Sequence, residues 1–212
     1  MSITPIDFAT PQDYLSIYQQ MQQFTQQRTA QHSDQIWFLE HQPVFTQGQA
    51  GKAEHLLDPG TIPVIHCDRG GQITYHGPGQ LMVYLLLDLK KRDFGIRGCI
   101  DLLEQSVIEL LQRYAIVSMT RPHAPGVYTQ CGAKICSLGL RVRKGCTYHG
   151  ISLNVAMDLS PFARINPCGD KTIRMIDMQA LVPTITLSQV KKELKLILLT
   201  QLKTSHLVAL RC

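Results

Sequence analysis

The chain has 212 residues, 44% hydrophobic and 17% charged, a balance that excludes a disordered polymer and suits a single globular domain with its own core. Its formal net charge of +5 comes without a Lys/Arg cluster interleaved with aromatics, so nucleic acid is not the expected partner, although an acidic protein could be steered by that charge. No apolar run approaches the ~18 residues of a membrane span, and the N-terminus (Met1-Ser2-Ile3-Thr4-Pro5-Ile6-Asp7) lacks the basic and apolar regions of an export signal.

Residues Pro11 to Gln31 carry Tyr14, Ile17, Tyr18, Met21 and Phe24 at helical spacing, which predicts an amphipathic helix. A strand is expected at Gln35 to Glu40, then a loop from His41 to Gly51, then a strand at Ile62 to Cys67. A glycine-rich loop follows from Arg69 to Gln80, ahead of the apolar strand Leu81 to Leu87. Ile96 to Tyr114 has the period of a helix. Strands return at Gly126 to Thr129, Ala133 to Arg143 and Thr147 to Val155, the last two joined as a hairpin through Lys144-Gly145-Cys146. Leu187 to Lys203 closes the series as a helix capped at Thr186 or Ser188. No repeat or linker interrupts this order, so residues 1–212 are expected to form one α+β (mixed α/β) domain, a mixed β-sheet flanked by helices.

The stretch Arg69-Gly-Gly-Gln-Ile-Thr-Tyr-His-Gly-Pro-Gly-Gln80 is the leading ligand loop, because four glycines admit close backbone approach and Arg69, Tyr75 and His76 are unusual choices for a mere turn. It is not a dinucleotide fingerprint, since Met82 stands where a third glycine is needed, and it lacks the Gly-Lys-Ser/Thr of a phosphate loop. Lys134 shares a strand face with Cys136, Leu138, Leu140 and Val142, so it either points inward, where desolvation favours its neutral form, or reaches solvent from the strand's end. The same period puts His149 on a face with Ile151, Leu153 and Val155, opposite Gly150, Ser152 and Asn154. Seven cysteines (67, 99, 131, 136, 146, 168 and 212) form no regular framework, and Cys131-x4-Cys136 is poor zinc spacing, so reduced cytosolic thiols and no metal are expected. Among them Cys168 is the nucleophile candidate, held in Asn166-Pro-Cys-Gly169, while Cys67, Cys99 and Cys136 read as core packing.

Taken in order, the Arg69–Gln80 loop, Gly132-Ala-Lys-Ile-Cys-Ser-Leu-Gly139, Tyr148-His-Gly-Ile-Ser-Leu-Asn154 and Asn166-Pro-Cys-Gly169 resemble the lipoyl(octanoyl) transferase family, as does His41-Gln-Pro-Val-Phe-Thr-Gln-Gly48 upstream. The resemblance implies a fold like the catalytic domains of lipoate and biotin protein ligases. It implies transfer of an octanoyl group from octanoyl-acyl carrier protein to a lysine of lipoyl domains, in 2-oxoacid dehydrogenase subunits and the glycine-cleavage H protein. It also implies a cytoplasmic enzyme without a cofactor, with Cys168 as the acyl-thioester nucleophile and Lys134 as the group that tunes it. Arg69, Gly70, Gly71, Gln72, Ile73, Thr74, Tyr75 and His76, with Ser137, Leu138, Gly139, Gly150, Ile151 and Ser152, would line the substrate. Gly139, Gly150 and Ser152 would leave an apolar slot for the chain, and His76 and His149 would shape the pocket. Cys136, Ser137 and Cys146 depart from the family's usual residues, which bears on how selectively a thiol reagent would report on Cys168. Three rivals remain open: an ATP-dependent ligase on the same fold, a Cys–His hydrolase using Cys168 with His76 or His149, and a non-catalytic module that binds acylated carrier proteins.

Overall fold

The computed structural model describes residues 2–9, 11–92 and 94–208, with side chains as far as residue 203; Cys212 lies outside the described residues. Among the described residues ten strands and three α-helices follow in this order: β1 (Ile3–Asp7), α1 (Tyr14–Gln27), β2 (Asp34–Leu39), β3 (Val44–Gln47), β4 (Val64–His66), β5 (Ile73–His76), β6 (Gln80–Leu86), α2 (Ile96–Arg113), β7 (Ser118–Met119), β8 (Gly126–Thr129), β9 (Lys134–Arg143), β10 (Cys146–Asn154) and α3 (Leu187–Val208). Seven strands form one sheet in the order β1-β2-β6-β10-β9-β8-β7, and three form a second in the order β4-β3-β5. The large sheet is mixed, because β1 runs parallel to β2 while every other pair is antiparallel.

Period-two alternation gives the large sheet two apolar faces. Phe38, Val83, Leu85, Ile151 and Leu153 face α2 and α3 and pack on Leu103, Val107, Leu110, Val190, Leu194 and Leu198. Trp37, Met82, Tyr84 and Tyr148 face the other way, against Ile17 and Met21 of α1. Helix starts follow local capping chemistry: Asp13 accepts the Ser16 N–H at 2.7 Å, and the Thr186 hydroxyl accepts the Gln189 N–H at 3.3 Å, so Thr186 and not Ser188 caps α3. The β9–β10 hairpin closes through two residues, Lys144 and Gly145, whose φ angles of 54° and 82° are the two positive values a tight primed turn demands. Among the described residues no helix is long and apolar enough to cross a membrane.

Two expected loops contain strands. The His41–Gly51 stretch holds β3, and the glycine loop holds β5, which pair with each other as the core of the small sheet. Both are buried on both faces, so no alternation marks them. This small sheet carries its own apolar cluster, Phe45, Ile73, Tyr75, Phe162 and Ile165, and supplies one wall of the site.

Candidate active site

Lys134 opens β9 and is 1% exposed, with its side chain pointing inward. The space it occupies exists because residue 126 is glycine: a Cβ there would stand 2.7 Å from Lys134 Cε. Its main chain is tied on both sides to the segment after Cys168, donating to Arg174 O at 2.8 Å and accepting from Ile176 N at 3.1 Å. Lys134 Nζ donates to Cys168 Sγ at 3.1 Å and lies 5.2 Å from the Tyr128 ring centroid. Burial pulls the lysine's pKa down, but the neighbouring Cys168 sulfur and Tyr128 oxygen more than reverse this, and the net shift is upward. Of the two protonation states open to a buried lysine, this site favours the ammonium.

Cys168 sits in a single 3-10 turn, Pro167–Gly169, and is exposed. Its φ of 57° and ψ of 16° are left-handed, a conformation that costs a non-glycine residue about 1–2 kcal/mol. The turn is held by Gly169 N donating to Asn166 O at 2.9 Å and Asn166 N donating to His55 O at 2.8 Å. Strain of this kind at an exposed thiol, aimed at a buried ammonium, is a mark of a reactive site.

Two cavities open to solvent, a smaller and a larger, meet at the sulfur and share Gly71, Gln72, Leu138, Gly139 and Cys168 in their walls. The smaller is also lined by Arg69, Ile73, Thr74, His76, Ser137, Gly150, Ile151 and Ser152; the larger takes Gly70 and Lys134. Of the anticipated substrate residues only Tyr75 turns away. It alternates with Thr74 and His76 along β5, so its ring faces Phe45 and Phe162, each 5.6 Å away between centroids. Arg69 lines the wall but organises its own loop, donating to Thr46 O at 2.6 Å, Gln72 O at 2.7 Å and Gly70 O at 3.0 Å. The glycines also do something other than open a slot. A Cβ on Gly139 would stand 2.8 Å from Gly70 O, and one on Gly150 2.1 Å from Val83 O, so both are required by approach of neighbouring main chain.

Neither histidine candidate touches the sulfur. His76 pairs with Thr46 Oγ1 at 3.1 Å and Gln80 Oε1 at 2.8 Å, and His149 Nε2 pairs with Asp68 Oδ1 at 3.1 Å. Burial holds both imidazoles below their usual pKa, and so it does His41, pushed down to about 4. The sulfur's hydrogen-bond partner is Lys134, which removes the basis for a Cys–His pair. His149 departs from the expected face as well. Its φ of 61° is left-handed, and the ring swings to the α1 side, 5.4 Å from Tyr18 and 6.1 Å from Tyr84 between centroids. Tyr14, Met82 and Tyr84 complete the smaller cavity. Period-based reading finds them only as apolar positions of α1 and β6, and Ile96, Ile100, His123 and Tyr128 of the larger cavity carry no local signal of a ligand role. The extra thiols Cys136 and Cys146 are buried, and burial raises the pKa of each; among the described residues Cys131 is exposed and would compete for a thiol reagent.

Residues 13–198 match the family model of the lipoyl protein ligase A/B catalytic domain. An octanoyltransferase of Vibrio cholerae serotype O1 is 56% identical over 183 residues, 86% of this chain and 84% of that one. An octanoyltransferase of Dichelobacter nodosus is 56% identical over 182 residues, 86% of this chain and 91% of its own. Among solved structures, the fold is similar to a bi-partite lipoate protein ligase from Thermoplasma acidophilum (TM-score 0.80, 16% identity, 96% of this chain and 84% of that one). It is also similar to a lipoate-protein ligase A bound with ATP (TM-score 0.74, 15% identity, 92% and 83%) and to the biotin protein ligase of Aquifex aeolicus (TM-score 0.53, 15% identity, 92% and 70%). At these identities the structural likenesses speak for the fold alone.

Proposed function

The chain belongs to the lipoyl protein ligase A/B catalytic-domain family, and we propose that it is an acyltransferase that moves an octanoyl group from octanoyl-acyl carrier protein to a lysine of lipoyl domains. Its acceptors are the lipoyl domains of 2-oxoacid dehydrogenase subunits and the glycine-cleavage H protein. The observation that carries the reading is the 3.1 Å contact between Lys134 Nζ and Cys168 Sγ where the two cavities meet.

The chemistry balances around that pair. Cys168, as thiolate beside the Lys134 ammonium, attacks the donor's thioester carbonyl; the Sγ–C bond forms and the bond to the carrier's thiol breaks. The departing thiolate takes its proton from Lys134, which is left as an amine. The acceptor lysine's neutral amine then attacks the octanoyl-Cys168 thioester, the C–N bond forms as the Sγ–C bond breaks, and Lys134 takes up the proton that amine must lose. Amide and free thiolate result, with the ammonium restored. The acyl chain occupies the smaller cavity, against Gly71–Thr74 on one side and Ser137–Gly139 with Gly150–Ser152 on the other. The donor and acceptor arms approach the sulfur through the larger one. A thiol that must stay reduced to work fits the cytoplasm.

The test is transfer without ATP: octanoyl-carrier protein and a lipoyl domain should yield the octanoylated domain in its absence. Strict dependence on ATP with free octanoate would assign the chain to the ligase chemistry instead.

A further inference from the structure

The larger cavity has an open strand edge in its wall. The primed turn at Lys144-Gly145 makes Arg143 and Cys146 a pair that exchanges both main-chain hydrogen bonds, and the register then runs unbroken to Cys136 opposite Leu153. Bonded and non-bonded pairs alternate along such a ladder, so Arg143, Arg141, Gly139 and Ser137 turn their N–H and C=O groups to β10. Val142, Leu140, Leu138 and Cys136 turn theirs to the opposite edge. Gly70 confirms the phase, since its N–H donates to Leu140 O at 3.0 Å from that side.

Strand β8 covers this edge only as far as Ser137, which stands opposite Gly126, the first residue of β8. Past that point the carbonyl of Leu138 and the N–H of Leu140 have no main-chain partner among the described residues. Pro125 and Gly70, the residues at the two ends of the gap, line the larger cavity together with Leu138, Gly139 and Leu140, so the gap opens into it. Residues 138–140 are half-buried. Leu138 and Gly139 also line the smaller cavity and Leu140 does not, so the edge begins where the cavities meet at Cys168 and runs outward. Ile96, Ile100, Tyr128 and Ile173 make the facing walls largely apolar.

A strand edge recognises chains that carry amides, through main-chain hydrogen bonds alone. Of the two reactants, the donor brings such a chain next to the sulfur. The thiol arm of a carrier protein is linear, with one amide two carbons from its sulfur and a second amide two carbons beyond the first. The acceptor instead offers four methylenes between its amine and its nearest amide. We propose that β9 between Leu138 and Leu140 holds the donor's thiol arm, the amide N–H nearest the sulfur donating to Leu138 O and the carbonyl of the second amide accepting from Leu140 N–H. Ile96, Ile100 and Ile173 pack on the arm's methylenes. The inference rests on the thioester reading above.

The test uses the full chain and small octanoyl thioesters, following Cys168 acylation by intact mass. Each rate is divided by that thioester's rate with free N-acetylcysteine, which removes intrinsic reactivity. S-octanoyl-N-acetylcysteamine and S-octanoyl-2-mercaptoethyl acetate have the same number of heavy atoms and differ by an amide N–H against an ester oxygen. The amide should acylate about tenfold faster, and S-octanoylpantetheine, with its second amide, about tenfold faster again. Leu140→Pro deletes an N–H that faces away from the β10 ladder, a position where strands tolerate proline, and should bring the pantetheine-to-N-acetylcysteamine ratio close to one. Leu140→Ala keeps the N–H and should keep that ratio high. Equal corrected rates for amide and ester in the unaltered protein overturn the proposal, whether or not the proline variant folds. So does a proline variant with the parent ratio, and if its discharge to a lipoyl domain is slowed the edge belongs to the acceptor's main chain instead. Acylation without amide preference refutes the strand edge alone; no acylation by any thioester, octanoyl-carrier protein included, refutes the thioester reading and the edge with it.

Discussion

Replacing Lys134 by methionine removes the ammonium and keeps the stem. Lys134 is buried to 1% exposure, and an apolar side chain of similar shape in place of a buried charge is often neutral or stabilising, so the fold should persist. The chemistry should not. A hydrogen bond from a charged donor, such as the 3.1 Å contact to Sγ, contributes about 1.5–3 kcal/mol. Moving protons at the reacting centre contributes about 10²–10⁴ in rate, and since one residue does both, the losses overlap and a total near 10³ is expected. The assay is single-turnover: octanoylation of Cys168 from carrier protein, then its discharge to a lipoyl domain, from neutral to alkaline pH. Acylation by Lys134→Met should recover in alkali, which supplies the thiolate without the ammonium. Discharge should stay slow. Stability carries its own signature: a lysine whose folded pKa is raised stabilises the fold below its unfolded value, about 10.4, and loses that contribution as pH rises through the folded value. The difference in melting temperature between the two proteins should be constant near neutrality and move toward the variant only in strong alkali. Unchanged rates in both half-reactions at neutral pH would refute the reasoning.

Acid should destabilise the fold through its buried histidines. His41 is pushed down to about 4 from 6.5, so across that window the unfolded chain binds a proton that the folded one refuses, and stability is lost as pH falls. The swing is about 3 kcal/mol for this residue, and denaturant midpoints against pH should flatten in that window in His41→Asn. Gly150→Ala places a Cβ 2.1 Å from Val83 O, backbone against backbone, so β6 and β10 must part. A loss of about 1–3 kcal/mol or more is expected by thermal melting, and a variant as stable as the parent would contradict the close approach.

What could be read from the chain followed from locality. Helices α1, α2 and α3 declare themselves through their apolar period, and the β9–β10 hairpin through its two-residue turn, because both signals lie within a short stretch of sequence. Strands β3 and β5 did not, since they are covered on both sides and pair across a stretch that includes β4. His149 defeated period-two reading for a different reason: one left-handed residue rotates the chain, and a lone φ leaves no trace in the pattern. The inward or outward choice at Lys134 was open on spacing alone. It is settled by glycine at 126 and by Cys168, both far from it in sequence. The Lys134–Cys168 partnership was legible only through resemblance to a family.

Intact mass of the protein after incubation with octanoyl-carrier protein tests the central claim most directly. One octanoyl group should be gained on Cys168, be absent in Cys168→Ser with Cys131 still present, and be lost on addition of a lipoyl domain. Transfer to the domain by Cys168→Ser at the parent rate, with no adduct ever seen, would contradict the covalent route.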